Sequence, residues 1–158
     1  MPDASKVNDA LQAGMTLGSM LRRMYRALSE NVYGRLADTG FPDIRPMHSS
    51  VLRHLTADGA RVTTLAAQAE ITKQSMSAIV EDLIQHGYLE SRPDPSDGRA
   101  RLVTLTPHGQ ALQATLTRLS SEAEKVLAEN IGEQKYAQLR ALLMEWTQAE
   151  NERERAGK

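Results

Sequence analysis

The chain has 158 residues, of which 41% are apolar, with a formal net charge of −1 and no cysteine. That size and apolar content suit one packed domain with extensions; the missing thiol excludes disulfides, cysteine nucleophiles and thiol-based redox sensing; and the near-neutral charge makes any nucleic-acid contact depend on locally placed cations. No apolar run reaches the roughly 18 residues of a membrane-spanning helix, and MPDASKVNDALQ at the N-terminus lacks the basic start and apolar core of a signal peptide, so a cytoplasmic location is expected.

No proline occurs between Lys6 and Ala37, where Val7, Leu11, Gly14, Gly18, Leu21, Tyr25, Leu28 and Val32 recur at alternating steps of four and three. This is a helix seam. One helix of that span would measure roughly 45–50 Å, too long for one face of a compact domain. Gly14 and Gly18 each cost about 1 kcal/mol in a helix interior, which a close backbone approach would justify; a kinked, frayed helix is the alternative.

After a break at Thr39-Gly40-Phe41-Pro42, Met47–Ala57 reads as a helix, with Val51, Leu52 and Leu55 apolar and Asp58-Gly59 as its stop. A short helix near Thr64–Ala69 and a second from Lys73 to His86 follow, the latter stopped by Gly87. Leu89–Arg92 and the β-prone run to Leu105 flank Pro93-Asp94-Pro95-Ser96-Asp97-Gly98, whose turn chemistry predicts a hairpin with Arg99 and Arg101 near its tip. Thr106-Pro107 suits an N-cap with proline at the first helical position. Two last helices are marked by Leu112, Leu116, Leu119, Ala123, Val126 and Leu127, and by Tyr136, Leu139, Leu142, Leu143 and Trp146, with Asn130-Ile131-Gly132 as the turn between them.

Leu65 to Leu83 carries the chemistry. Leu65, Ala66, Ala69, Ile71, Met76, Ile79, Val80 and Leu83 have the spacing of a short helix, a tight turn and a crossing helix, which is helix-turn-helix periodicity. Thr72 is the expected N-cap of the second helix, leaving Lys73, Gln74, Ser77 and Ala78 outside. Free N–H groups there suit phosphate, and Gln or Ser side chains suit base edges. A plain helix pair with a solvated face would share this pattern; the hairpin directly downstream favours DNA binding. That hairpin needs support, since two strands alone are marginal in water. Leu89, Val103 and Leu105 share its expected inward face, while pleat alternation puts Arg99 and Arg101 together on one side. Asp97 is suited to accept hydrogen bonds from Arg99 or the turn backbone.

Helix-turn-helix followed by GYLESRPDPSDGRARLVTLTPHG resembles the winged-helix domain of the multiple-antibiotic-resistance regulator (MarR) family. Asp97-Gly98-Arg99 matches the family's Asp-x-Arg wing signature, Leu105-Thr106-x-x-Gly109 its strand exit, and Thr72-Lys73-Gln74-Ser75 a common start of its recognition helix. The layout of one helix before the domain and two after it is also similar. The resemblance implies a mainly α fold with a small β-hairpin wing: a winged helix-turn-helix domain (43–109) flanked by an N-terminal dimerisation helix (1–42) and C-terminal dimerisation helices (110–158). It implies a homodimeric regulator, most often a repressor, whose recognition helices enter the major groove of a pseudo-palindromic, inverted-repeat operator while the wings reach the minor groove. Thr72, Lys73, Gln74, Ser75, Ser77, Asp97, Arg99 and Arg101 are then the DNA-binding set. Leu11, Gly14, Gly18, Leu139, Leu143 and Trp146 are the dimerisation set, in line with an apolar stripe too wide for one small domain to cover. A small aromatic or phenolic effector is implied where the dimer helices meet the DNA-binding lobes, with Met24, Tyr25, Tyr33 and His48 as lining. At helical spacing Met15, Met20 and Met24 also suit a core.

Two positions depart from the family pattern. Glu70 stands where the turn often has glycine, so a costlier backbone or a different turn is expected. Ala78 stands where a basic residue is common, and Glu81-Asp82 follow, making that side of the helix less basic. The acidic pair and weak net basicity favour the alternative of a winged-helix protein-interaction module. His48, His54, His86 and His108 lack ligand-like spacing, so no metal and no cofactor is expected, and nothing points to an enzyme.

Overall fold

The computed structural model describes residues 14–157. Lys6, Val7 and Leu11 lie outside the described residues. The described chain divides into two compact units, one through Leu119 and one from Ser120.

Among the described residues the expected long first helix begins only at Leu17. Gly14 has φ +74° and lies before the helix rather than inside it. Thr16 then caps helix α1 (Leu17–Gly34), its hydroxyl accepting from the Ser19 N–H at 3.2 Å. The apolar period runs through Gly14, yet a left-handed glycine followed by a good N-cap ends any continuous helix there. No other part of the described chain closes on the two glycines: a Cβ at Gly14 would meet nothing within 4 Å, and one at Gly18 only the Thr16 hydroxyl at 4.0 Å. Met15, Met20 and Met24 are exposed, not core.

The helix expected over Met47–Ala57 is shorter. A 3-10 turn (Pro46–His48) leads into α2 (Ser49–Leu52), and Leu55 is buried from the turn beyond it. Gly59 therefore does not terminate a helix. It has φ +86°, and a Cβ there would lie 2.7 Å from the Val103 carbonyl oxygen. This close approach lets Ala60 pair with Val103, each N–H donating to the other's carbonyl at 3.0 and 2.9 Å.

Helix α3 (Val62–Gln68) and helix α4 (Lys73–Gln85) form the helix-turn-helix, packed through Leu65, Ala66, Met76, Ile79, Val80 and Leu83, all buried. Glu70 in the turn has φ +54°, the one positive φ outside glycine among the described residues. The left-handed region costs an ordinary residue about 1–2 kcal/mol. Glu70→Gly should therefore stabilise the fold by about 0.5–1 kcal/mol, the flexibility of glycine in the unfolded chain offsetting part of the gain. Urea unfolding checks this; an unchanged or lowered midpoint would mean the turn carries no strain.

Strands β1 (Leu89–Asp94) and β2 (Asp97–Leu105) pair antiparallel from Leu89↔Leu105 to Asp94↔Asp97, with an irregularity between Pro93 and Asp94. β1 thus runs two residues beyond its expected end, into the turn-forming Pro93-Asp94. Leu89 and Val103 are buried and Leu105 is half-buried, as the inward-face reading required. Helix α5 (Pro107–Ile131) follows, and the Thr106 hydroxyl accepts from the Gly109 N–H at 3.0 Å while donating to the Gly87 carbonyl at 2.6 Å. His108 stacks on buried Tyr88 at 4.7 Å and on Phe41 at 5.2 Å. In the second unit, Gly132 turns the chain at φ +88° into helix α6 (Glu133–Ala156), and Tyr136 and Arg140 both reach Glu124 on the end of α5. Leu139, Leu142, Met144 and Trp146 on α6 are exposed, and Leu143 is half-buried. No helix among the described residues is long and apolar enough to cross a membrane.

Candidate nucleic-acid interface

Helix α4 begins as its sequence predicts. Thr72 accepts the Ser75 N–H at 3.1 Å, and the two hydroxyls lie 2.9 Å apart. Thr72 and Ser75 are thereby committed to shaping the first turn. Lys73 and Gln74 are exposed and their side chains make no hydrogen bond or ion pair among the described residues; Ala78 is exposed and Ser77 half-buried. The outer face therefore presents one cation and one amide beside free N–H groups, a combination suited to phosphate and to a base edge.

The acidic end of this helix is partly engaged by histidines. The Asp82 carboxylate meets His48, whose Nε2 lies 2.9 Å from Oδ2, and its backbone carbonyl lies 2.8 Å from His86 Nδ1. His48 is 2% exposed, and its Nδ1 accepts the Arg45 N–H at 3.1 Å, which puts the ring proton on Nε2 facing Asp82. Burial pushes its pKa down, while Asp82 pulls the other way. Glu81 is exposed, and Asp82 is half-buried.

The hairpin lies beside this helix pair, anchored at its root by the Ala60–Val103 pairing and by Arg92, which donates to the Asp58 carbonyl at 3.0 Å. At the tip, Asp97 Oδ1 accepts the Arg99 backbone N–H at 3.1 Å, so Asp97 shapes the backbone under Arg99 and does not hold its guanidinium. The Arg99 side chain is exposed, with no partner among the described residues. Arg101 differs: it donates from Nε to the Ser91 hydroxyl at 2.8 Å and from a terminal nitrogen to the Ser91 carbonyl at 2.6 Å. Two residues outside the expected DNA-binding set meet at the tip, Arg61 and Asp94, the latter read from sequence only as turn-forming. Asp94 is 6% exposed and receives both the Ser96 N–H and hydroxyl and the Arg61 guanidinium. The Ser96 hydrogen bonds first, then Arg61, hold its carboxyl at about 2, well below the usual carboxylate range.

The four residues expected around an effector are not brought together. Tyr25 and Tyr33 line an open, mainly apolar groove of about 600 Å³ along α1, with Arg22, Arg26 and Pro46. Met24 lies on an exposed part of α1 outside that lining, and His48 is buried with both ring nitrogens engaged. The arginines were the missed signal: Arg22 and Arg26 sit three before and one after Tyr25, on the groove side of the helix.

Comparison with known proteins finds regulators of transcription. The MarR family model matches residues 43–100. The HTH-type transcriptional regulator PetP of Rhodobacter capsulatus is 32% identical over 102 residues, 64% of this chain and 52% of PetP, so the chain spans about half the length of that relative. Among solved structures, the transcriptional repressor CouR bound to a 23-mer DNA duplex matches with a TM-score of 0.70 at 26% identity, over 87% of this chain and 96% of that one. CouR from Rhodococcus jostii bound to p-coumaroyl-CoA matches with a TM-score of 0.64, again at 26% identity, over 80% of this chain and 88% of that one.

Proposed function

We propose, from the premise that this chain belongs to the MarR family of winged-helix transcriptional regulators, that it is a cytoplasmic homodimer that represses transcription from an inverted-repeat operator and is released by a small aromatic effector. It is a regulator and not an enzyme. Residues 43–109 form its DNA-binding domain, and the segments on either side dimerise it. One observation carries the reading: the exposed start of α4, with Lys73 and Gln74 uncommitted, lies in the same unit as a braced hairpin whose tip offers an uncommitted Arg99. DNA-bound CouR supports the same use of the fold. The exposed apolar side chains of α6 support dimerisation, and the Tyr25–Tyr33 groove, with CouR bound to an aromatic CoA thioester, supports the effector. The protein-interaction alternative loses ground because one of its two carboxylates, Asp82, is occupied by histidines.

Operator titration tests this, using a duplex selected by the wild-type protein from a random-sequence pool. Gln74 reads a base edge, so Gln74→Ala should shift preference at one base position by about 1–3 kcal/mol. Lys73 meets phosphate, so Lys73→Ala should weaken all duplexes alike and flatten the salt dependence by about one unit. Identical behaviour of the two variants would refute these roles. The same titration reports two chains per duplex for a dimer and loss of the complex on adding p-coumaroyl-CoA or a free aromatic acid. A monomer at micromolar concentration, or a complex indifferent to every aromatic ligand, removes the corresponding part of the proposal.

A further inference from the structure

Arg61 breaks a local rule. It occupies the N-cap position of α3, where Ser, Thr, Asp or Asn is preferred and where a cation opposes the helix dipole, and its side chain makes no capping hydrogen bond. The side chain instead crosses 33 residues of sequence to the hairpin tip, where Nε and a terminal nitrogen donate to Asp94 Oδ2 at 2.8 and 2.6 Å. Asp94 uses its other oxygen on the turn, accepting the Ser96 N–H at 2.8 Å and the Ser96 hydroxyl at 2.7 Å. One carboxylate thus shapes the tip with one oxygen and ties it to the helix-turn-helix with the other. The same guanidinium lies 3.6 Å from Asp97 Oδ2, and Asp97 Oδ1 holds the Arg99 N–H. A continuous chain of contacts therefore runs from the start of α3 to the backbone of Arg99.

From this geometry we infer that Arg61 is a positioning residue for DNA recognition: through Asp94 and Asp97 it fixes the angle of the wing tip and so delivers Arg99 to the minor groove. This rests on the reading of the wing as a DNA reader. The hairpin root has its own anchors in the Ala60–Val103 pairing and the Arg92–Asp58 hydrogen bond, so loss of Arg61 frees the tip while the root stays paired. The guanidinium also sits against both carboxylates of the tip, which would otherwise face the phosphates of DNA. Charge screening and positioning make opposite predictions for Asp94. If Arg61 only masks negative charge, removing Asp94 strengthens binding; if the pair sets the angle, removing Asp94 weakens it.

The test is a double-mutant cycle on the full chain with the selected operator duplex at two salt concentrations, beside thermal melts. Arg61→Gln should lower affinity about tenfold with a melting temperature within a few degrees of wild type, and Asp94→Ala should do the same in DNA binding. In an Arg99→Ala background, Arg61→Gln should cost less than about twofold, because the side chain it delivers is gone. Arg61→Lys should restore part of the loss, since one ammonium cannot reproduce the paired donation to Asp94. An equal loss in both backgrounds, no loss in either, or tighter binding by Asp94→Ala overturns the inference while leaving the wing a DNA reader. Wild-type affinity in Arg99→Ala itself removes the wing reading, and the role of Arg61 with it.

Discussion

Replacing Arg99 with alanine should weaken operator binding by ten- to a hundredfold, about 1–3 kcal/mol, and leave the melting temperature and oligomeric state unchanged. The side chain is exposed and makes no hydrogen bond or ion pair among the described residues, so truncating it removes little that holds the fold. Its backbone is held by Asp97, which presents the side chain without competing for its charge. A narrow, A·T-rich minor groove concentrates negative potential and accepts a guanidinium more readily than a strongly hydrated ammonium, so Arg99→Lys should recover only part of the affinity. Arg101→Ala should cost less. Its guanidinium is already hydrogen-bonded to Ser91, through Nε to the hydroxyl and a terminal nitrogen to the carbonyl. Titrations at two salt concentrations separate the pair; wild-type affinity in a well-folded Arg99→Ala variant would return the protein-interaction reading to first place.

The largest effect on stability is expected at Gly109. A Cβ built there would lie 2.0 Å from the Tyr88 carbonyl oxygen and 3.0 Å from a Leu105 methyl. Neither neighbour yields easily. Tyr88 is buried against His108, and its carbonyl already accepts the Thr106 N–H at 3.1 Å. Gly109→Ala must therefore push the start of α5 off the entry to the hairpin, costing about 3 kcal/mol, the upper end for overpacking, or a fall of about 10 °C in melting temperature. The loss should appear in urea unfolding as a lower midpoint at unchanged slope. A wild-type melt would mean that helix and strand can separate by an ångström at no cost.

Local signals carried most of the fold. Thr72 capping α4, Gly87 ending it, the turn residues of the hairpin and Thr106-Pro107 opening α5 each act within a few residues of chain, and each was readable as such. Glu70 was readable only against the family pattern, and its positive φ is the costlier backbone that the missing glycine implied. The misreadings share a cause. Apolar period alone continued the first helix through Gly14 and the second through Leu55, where backbone conformation and a turn-borne core residue end them. In the candidate site, the exposure of Lys73, Gln74 and Arg99 was legible in the sequence, and the contacts that support them were not. Arg61–Asp94 and His48–Asp82 join residues that are distant in sequence, and Ala60–Val103 joins a loop to a strand, so no periodicity announces any of them.

The pairing of Ala60 with Val103 has a further consequence for how copies of this chain avoid sticking together. It covers the second edge of β2 near the C-terminal end of the strand, so at that end the hairpin offers a neighbouring polypeptide only the outer edge of β1. That edge is poorly suited to accept a strand: Pro93 has no N–H to donate, and Glu90 and Arg92 set charged side chains along a run of six residues. With one end of β2 covered and the β1 edge blunted by proline and charge, the hairpin is a poor template for aggregation.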